Sequence, residues 1–469
     1  MYIRSSVLLL SVLSLLDLTS AAPTPAAPTP LRFPLRRITT TSKKTTAHLF
    51  NKRDEFSNGA DNFLITSNTT DAAPLLNDID LYQYGIQVQV GSPGQEFLLL
   101  FDTGSSDTWV PSDQCTKDKG CLSGRQYDPS QSSTYQGDMD FVNITYGIGS
   151  ATGHYFIDRL QVGDQDSLSV PSQTLVKMDD NKGPIAQQKT TDDTTTSLLG
   201  DDETEDSTIE NDQLIDGIFA AGFPAGSSMA QTQGKTYLPF AMNLWENQVI
   251  PAPMFSLTME PGSTTATESD WIGQVTFGGV DDTKDAAAIQ YTSVLQRNDG
   301  VYSHWMASVK GFQYDNGTNT NFHFTSPTHF LIDSGSNFIY LPEALSNQLA
   351  QLVSNGTAQW DGATYNVDCA LMDDSALETI PVFNVMFPSQ ENPNATFPMS
   401  VPVSRLIGKN GPDQCVLFFV PSKVNNVFTL GNLWLRNFVS VFDFGQYRMG
   451  FSPLFDTASD SSLLPDDLL

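Results

Sequence analysis

The chain writes one short phrase twice. Residues 100–112 read Leu-Phe-Asp-Thr-Gly-Ser-Ser-Asp-Thr-Trp-Val-Pro-Ser, and residues 331–342 read Leu-Ile-Asp-Ser-Gly-Ser-Asn-Phe-Ile-Tyr-Leu-Pro. Each copy is an apolar run, then Asp-(Thr/Ser)-Gly-Ser, then a second apolar run closed by Pro. The two aspartates, Asp102 and Asp333, stand 231 positions apart. A unit repeated at that distance points to two similar lobes, each giving one carboxylate to a shared site. Two carboxylates held close resist joint ionisation, so one keeps its proton. The result is an acid and base pair suited to activating water. Asp-Thr-Gly alone is ordinary turn composition; the matched contexts carry the signal. Gly104 and Gly335 allow a tight backbone whose N–H groups face the carboxylate. Ser105 and Ser336 each offer a hydroxyl to the outer oxygen of their Asp.

Around this core the charge is unevenly spread. Residues 1–21 read as a secretory signal: Arg4, the apolar stretch Val7 to Leu16, then small residues at Ser20 and Ala21. That stretch is too short to span a bilayer. Residues 22–53 carry seven basic and no acidic side chains, ending in Lys52-Arg53, whereas 54–469 holds 52 acidic against 16 basic residues, a formal charge of −36. Such asymmetry suggests a basic propeptide clamped on an acidic body and released by a dibasic cut. An acidic body repels phosphates, which excludes nucleic acid as a partner. Its own charges repel one another at neutral pH, so acidic surroundings should suit it. The tail 456–469 lacks the apolar run of a lipid anchor. A soluble product, secreted or delivered to an acidic vacuolar compartment, is expected.

The four cysteines suit two disulfides in a secreted chain. Of three pairings, Cys115–Cys121 with Cys369–Cys415 is preferred, because the others tie the two halves together. The five histidines show no metal-ligand spacing, and neither a metal nor another cofactor is expected. Asn68, Asn143, Asn316, Asn355 and Asn394 open glycosylation sequons.

The body reads as mostly β. Ile86, Val88 and Val90 alternate with glutamines, and Phe97 to Phe101 is a continuous apolar run leading into Asp102. Val275–Val280, Tyr340–Pro342 and Val439–Phe444 read as strands too. Two candidate helices, Pro239–Gln248 and Pro342–Val353, each open on a Pro, which suits a first helical position. The acidic stretch 190–212 has the composition of a solvated loop. Phe141 to Tyr146 reads as a strand and Gly147-Ile148-Gly149 as its turn. Strand parity then sets Val142, Ile144 and Tyr146 on one face and Asn143 on the other.

These motifs together resemble the pepsin-like aspartic proteases, the two-lobed kind made as secreted zymogens. The resemblance covers residues 80–455. Besides the Asp turns it rests on Ile144-Thr-Tyr-Gly-Ile-Gly-Ser150, Asp216-Gly-Ile-Phe-Ala-Ala-Gly-Phe-Pro224, Phe277-Gly-Gly-Val-Asp281, Leu430-Gly-Asn-Leu-Trp-Leu-Arg-Asn-Phe438 and Val441-Phe-Asp443. Phe33-Pro-Leu-Arg-Arg37 resembles the basic start of such propeptides. The resemblance implies an all-β, two-lobed acid protease fold with the active-site cleft between an N-terminal lobe at 54–270 and a C-terminal lobe at 271–455. It implies Asp102 and Asp333 as catalytic dyad, supported by Thr103, Gly104, Ser105, Ser334, Gly335 and Ser336. It implies Tyr146 as a flap tyrosine over the substrate, bonded towards Trp109, with Gly147 and Ile148 at the flap tip. Leu100, Tyr146, Ile215 and Ile218 would wall the pocket before the scissile bond. The implied cysteine pairing is the one preferred above. The implied partners are polypeptide substrates and the chain's own propeptide as intramolecular inhibitor, on a monomer.

Three positions depart from the family pattern. Asn337 replaces a Ser or Thr, Asn432 stands where Asp is frequent, and Ala220 falls where Gly supports the first Asp turn, with Gly222 nearby allowing a shifted register. Loss of a negative charge at 432 should lower the dyad's pKa values. Two rival readings are a pepsin-like binding protein that has lost catalysis, and a two-carboxylate glycosidase. The intact Asp turns argue against the first, and the basic propeptide against the second.

Overall fold

The computed structural model describes residues 31–38 and, between 83 and 454, all but 147–148, 164–167, 189–213, 260–270, 281–288, 375–376, 378, 410–413 and 424–426. The signal segment, Lys52-Arg53, Asn68, the acidic stretch 190–212, Gly147, Ile148 and the tail 456–469 lie outside the described residues.

The chain is all-β with short helices. Its first half holds β1 (Leu31–Ile38), β2 (Gln83–Val90), β3 (Gln95–Asp102), β4 (Trp109–Pro111), β5 (Asp138–Thr145), β6 (Ser150–Val162), β7 (Ser169–Asn181) and β8 (Gly217–Ala220), then α1 (Ser228–Gln233) and α2 (Phe240–Glu246). In the middle come β9 (Met254–Met259), β10 (Trp271–Phe277) and β11 (Gln290–Ser293). The second half holds β12 (Met306–Asp315), β13 (Asn319–Ile332), β14 (Ile339–Leu341), α3 (Glu343–Val353), β15 (Gln359–Trp360), β16 (Tyr365–Val367), β17 (Val382–Pro388) and β18 (Thr396–Pro402). It closes with β19 (Ile407–Lys409), β20 (Cys415–Leu417), β21 (Phe419–Pro421), β22 (Phe428–Leu430), α4 (Asn432–Leu435), β23 (Phe438–Asp443) and β24 (Arg448–Pro453).

The repeated phrase is repeated as topology. In the first half the sheet order includes β3-β8-β4-β7, and in the second β13-β22-β14-β21. Each Asp-bearing strand pairs parallel with a strand from far downstream, β3 with β8 and β13 with β22. On that partner's other side lies the short strand that follows the Asp turn, running antiparallel. A parallel pair cannot be closed by a tight turn, so the intervening chain in each half forms the body of its lobe. The apolar run before Asp102 needs cover on both faces, and Phe97 to Asp102 are all buried.

A 13-stranded sheet crosses the middle of the molecule in the order β11-β24-β23-β9-β10-β1-β2-β3-β8-β4-β7-β6-β5. β1 is an inner strand of it, antiparallel to β10 on one side and to β2 on the other. A seven-stranded sheet, β18-β17-β12-β13-β22-β14-β21, and a four-stranded one, β15-β16-β20-β19, complete the second half. One apolar core runs through both halves, with Phe101, Phe219, Phe255, Trp305, Phe442 and Trp434 among its large members.

Both candidate helices form, but one residue later than expected. Pro239 (φ −58°, ψ 159°) and Pro342 (φ −52°, ψ 134°) are N-caps rather than first helical residues. The ring sets φ near the helical value but leaves ψ extended, so the helix opens on the next residue. α3 buries Leu345, Leu349, Ala350 and Val353, an apolar stripe at helical spacing. The disulfides are Cys115–Cys121 and Cys369–Cys415. Asn143, Asn316, Asn355 and Asn394 are exposed.

Candidate active site

Each Asp turn satisfies its own carboxylate in the same way. Gly104 N–H donates to Asp102 Oδ1 at 2.8 Å, and Ser105 Oγ donates to Oδ2 at 2.5 Å. Gly335 N–H donates to Asp333 Oδ1 at 2.8 Å, and Ser336 Oγ to Oδ2 at 2.6 Å. Residues two and three positions past the Asp thus grip opposite oxygens, which holds each carboxylate in plane.

The two turns also lock together. Thr103 N–H donates to Ser334 Oγ (3.1 Å), and Ser334 N–H to Thr103 Oγ1 (3.0 Å). Thr103 Oγ1 donates to the Ile332 carbonyl (2.8 Å), and Ser334 Oγ to the Phe101 carbonyl (2.7 Å). All four bonds are buried and cross between the halves. The glycines explain how closely the turns meet. A Cβ on Gly104 would lie 2.5 Å from the Asp333 carboxyl carbon, and one on Gly335 would lie 2.6 Å from Asp102 Oδ1. Burial, and then the nearby Asp333 charge, push the Asp102 carboxyl well above the usual carboxylate range.

Trp109 Nε1–H donates to Tyr146 Oη at 2.8 Å. Tyr146 follows β5, and its N–H donates to the Gly149 carbonyl (3.0 Å), closing the hairpin to β6. Gly149 has φ +79°, and a Cβ there would lie 2.0 Å from the Lys182 carbonyl oxygen, so only glycine fits. Val142 and Ile144 are buried while Asn143 and Thr145 are exposed. Burial, then the charges of Asp107 and Asp102, keep the Tyr146 phenol neutral far above its usual range.

Leu100, Trp109, Ile215 and Ile218 belong to a second apolar cluster with Val142, Ile144 and Tyr155, and Tyr146 packs on it. The structure therefore brings together every described side chain expected to wall the pocket. Ile215 N–H is held by Gln188 Oε1 (2.8 Å), and the strand with Ile218 is anchored by Asp216, which accepts from Leu98 N–H and Arg125 Nε at 2.8 Å each.

The three departures from pattern have physical settings. Asp102 lies opposite Ala220 across the β3–β8 pair, so the register is not shifted towards Gly222. The Ala220 methyl joins the second apolar cluster. A Cβ on Gly431 in the other half would strike three backbone carbonyls within 2.6 Å. Asn337 and Asn432 are one feature, because Asn432 Nδ2 donates to Asn337 Oδ1 at 3.2 Å, fully buried. The Asn432 N–H donates to the Ser336 carbonyl (2.7 Å), which ties the pair to the turn holding Asp333.

Sequence reading missed Asp107. It is buried, accepting from Tyr155 Oη (2.8 Å), Tyr237 Oη (2.7 Å) and Ser228 N–H (2.7 Å). Burial pushes its carboxyl up, against those bonds. Overlaying the two copies could have flagged it, since the fifth residue after Asp102 is an aspartate and the fifth after Asp333 is Phe338. No cluster of potential metal ligands occurs among the described residues.

Two turns of this kind, interlocked through Thr103 and Ser334, mark the aspartic-type endopeptidases, hydrolases of peptide bonds. The chain belongs to that family: the eukaryotic aspartyl protease model matches residues 83–454. It is 36% identical over 379 residues to mucorpepsin of Rhizomucor miehei, covering 80% of this chain and 79% of that one. Mucorpepsin of Rhizomucor pusillus is 36% identical over 385 residues, 81% of each chain. Cathepsin E of Mus musculus is 27% identical over 394 residues, 81% of this chain and 82% of the other.

Proposed function

We propose that the chain is made as a secreted zymogen and cleaves polypeptides beside bulky apolar residues at acidic pH, using water activated between Asp102 and Asp333. The observation carrying this reading is the reciprocal lock of Thr103 and Ser334, which sets the two carboxylates against each other. One ionised carboxylate takes a proton from water as general base, and its protonated partner hydrogen-bonds the carbonyl oxygen under attack. No acyl-enzyme forms, so no Ser or Cys nucleophile is needed.

Tyr146 would cover the substrate, which adds as an extended strand along the cleft. Leu100, Tyr146, Ile215 and Ile218 would receive Phe, Leu or Met before the scissile bond. An uncharged Ile148 at the flap tip would leave Lys poorly accepted. The lobes divide at 270/271, the monomer is the working unit, and the exposed Asn143, Asn316, Asn355 and Asn394 are open to glycans. Support for the zymogen is the place of β1, whose segment 22–53 is basic and whose register sets Arg36 opposite Gly85 and Arg37 opposite Tyr84. A released propeptide would leave its slot between β2 and β10.

The test is casein cleavage at acid pH after acid activation, with pepstatin as inhibitor and N-terminal sequencing of the product. Pepstatin-sensitive cleavage with a new N-terminus near Asp54 is expected. A purified, folded chain that cleaves nothing would instead favour the binding-protein reading.

A further inference from the structure

The segment that follows the first Asp turn holds Tyr146 from two ends. Trp109, at the start of β4, donates its indole N–H to the Tyr146 hydroxyl. β4 runs parallel to β7 with Trp109 opposite Val176, and Ser112 N–H donates to the Met178 carbonyl (2.8 Å). Beyond β4 the chain enters the loop closed by Cys115–Cys121. That loop lies against the far end of β7. A Cβ on Gly120 would lie 2.1 Å from the Asn181 carbonyl oxygen and 2.6 Å from the Ala186 Cβ. The second copy of the phrase has no such loop, because the chain passes from Leu341 straight into α3.

Asn181 joins this loop to the tyrosine hairpin. It is buried, and its amide spans two backbone groups. Nδ2–H donates to the Gly120 carbonyl (3.3 Å), and Oδ1 accepts from Gly183 N–H (3.1 Å). Between these contacts lies the backbone on which the hairpin rests. Asn181 stands opposite Ala151 in the β6–β7 pair, and Lys182 N–H donates to the Ser150 carbonyl (2.8 Å). The Lys182 carbonyl and the Gly183 Cα press on Gly149, where a Cβ would lie 2.0 Å and 2.7 Å from them. The Gly149 carbonyl in turn accepts from Tyr146 N–H. A continuous set of contacts therefore runs from the disulfide loop through Asn181, Gly183 and Gly149 to Tyr146.

We propose that Asn181 is a positioning residue for Tyr146, acting through Gly183, Lys182 and Gly149, with the Cys115–Cys121 loop as its fixed support. The inference rests on the protease reading above. The Asn181 amide bonds neither carboxylate of the dyad, so its effect on catalysis passes through the tyrosine. Removing the amide takes one partner each from the buried Gly183 N–H and from the Gly120 carbonyl, and buried backbone groups resist that loss. The Lys182–Gly183 step then shifts to find new partners, and Gly149 shifts with it. Trp109 still holds the hydroxyl end, so the ring is drawn out of line between its two anchors. Misplacing a group that touches the substrate by about 1 Å costs up to about a hundredfold in rate.

The test is a double-mutant cycle on the acid-activated enzyme, with active sites counted by pepstatin titration. The kcat/KM for one peptide with a cleavable bond after Phe is measured for the wild type, Asn181→Ala, Tyr146→Ala and the double variant. With Tyr146 present, Asn181→Ala should lower kcat/KM about tenfold and weaken pepstatin binding in parallel. In the Tyr146→Ala background the same change should cost less than about twofold, because no ring remains to be placed. Should the alanine variant fail to fold, Asn181→Ser decides in its place. Its hydroxyl still accepts from Gly183 but falls short of Gly120, so it should lose about threefold, again only where Tyr146 is present. Equal losses in both backgrounds overturn the inference and leave the protease reading standing. So does a lower denaturant midpoint with unchanged kcat/KM per active site. A folded wild type that cleaves nothing overturns the protease reading, and this inference with it.

Discussion

At the residue scale, sequence and structure agree best where the chemistry is local. Ser105, Gly104 and their second-copy equivalents bind a carboxylate two or three positions away, and spacing alone reveals such contacts. Asn337 and Asn432 are 95 positions apart, and nothing local in the sequence links them, yet their side chains are bonded. Asp107 escaped notice because its partners, Tyr155 and the 228–237 segment with Ser228 and Tyr237, lie 48 to 130 positions downstream. The amide pair yields a prediction. Asn432→Asp would set a buried negative charge behind the turn that holds Asp333, and a like charge opposes ionisation of the dyad. The acid limb of the pH profile of kcat/KM should move up by about one unit. An unchanged or downward shift would mean that the pair does not act on the dyad.

At the scale of elements, strands carrying a full apolar run or clear alternation were legible, and their partners were not. Phe97 to Phe101 announces a buried strand, but nothing local announces that it pairs with Gly217–Ala220. Nor does the basic composition of residues 31–38 show that they form an inner strand of the largest sheet, between β10 and β2. The proline caps were displaced by one residue because φ and ψ are separate constraints. The disulfides make a prediction at this scale. Their sequence separations are 6 and 46. On loop entropy, losing Cys115–Cys121 should cost about 2 kcal/mol and losing Cys369–Cys415 about 4 kcal/mol. Denaturant midpoints of the paired Cys→Ser variants check the order, and a larger loss from the shorter loop would contradict it.

For the whole molecule, charge and burial act together. Burial is the largest cause raising Asp102, Asp107, Asp216 and Asp374. A carboxyl with a raised pKa binds its proton more tightly folded than unfolded, so stability falls as pH climbs from the unfolded value towards the folded one. For Asp102 that window runs from 3.8 to about 8. His304 and His329, held low by burial, work in the opposite sense below pH 6.5. Asp118, Asp128, Asp138 and Asp361, held below 3.8, act below that value and so leave the pH 4 to 7.5 range to the raised carboxyls and the two histidines; with the body's net negative charge adding repulsion, thermal melts should give a higher Tm at pH 4 than at pH 7.5. Equal or greater stability at pH 7.5 would contradict this balance.

The central claim is that Asp102 and Asp333 act as one catalytic pair, and single substitutions test it most directly. Asp102→Asn and Asp333→Asn keep the shape of the interlocked turns but remove the shared proton chemistry. Each purified, folded variant should cleave casein at acid pH at least about a thousandfold more slowly than the wild type. Cleavage by either variant within tenfold of the wild-type rate would contradict the account.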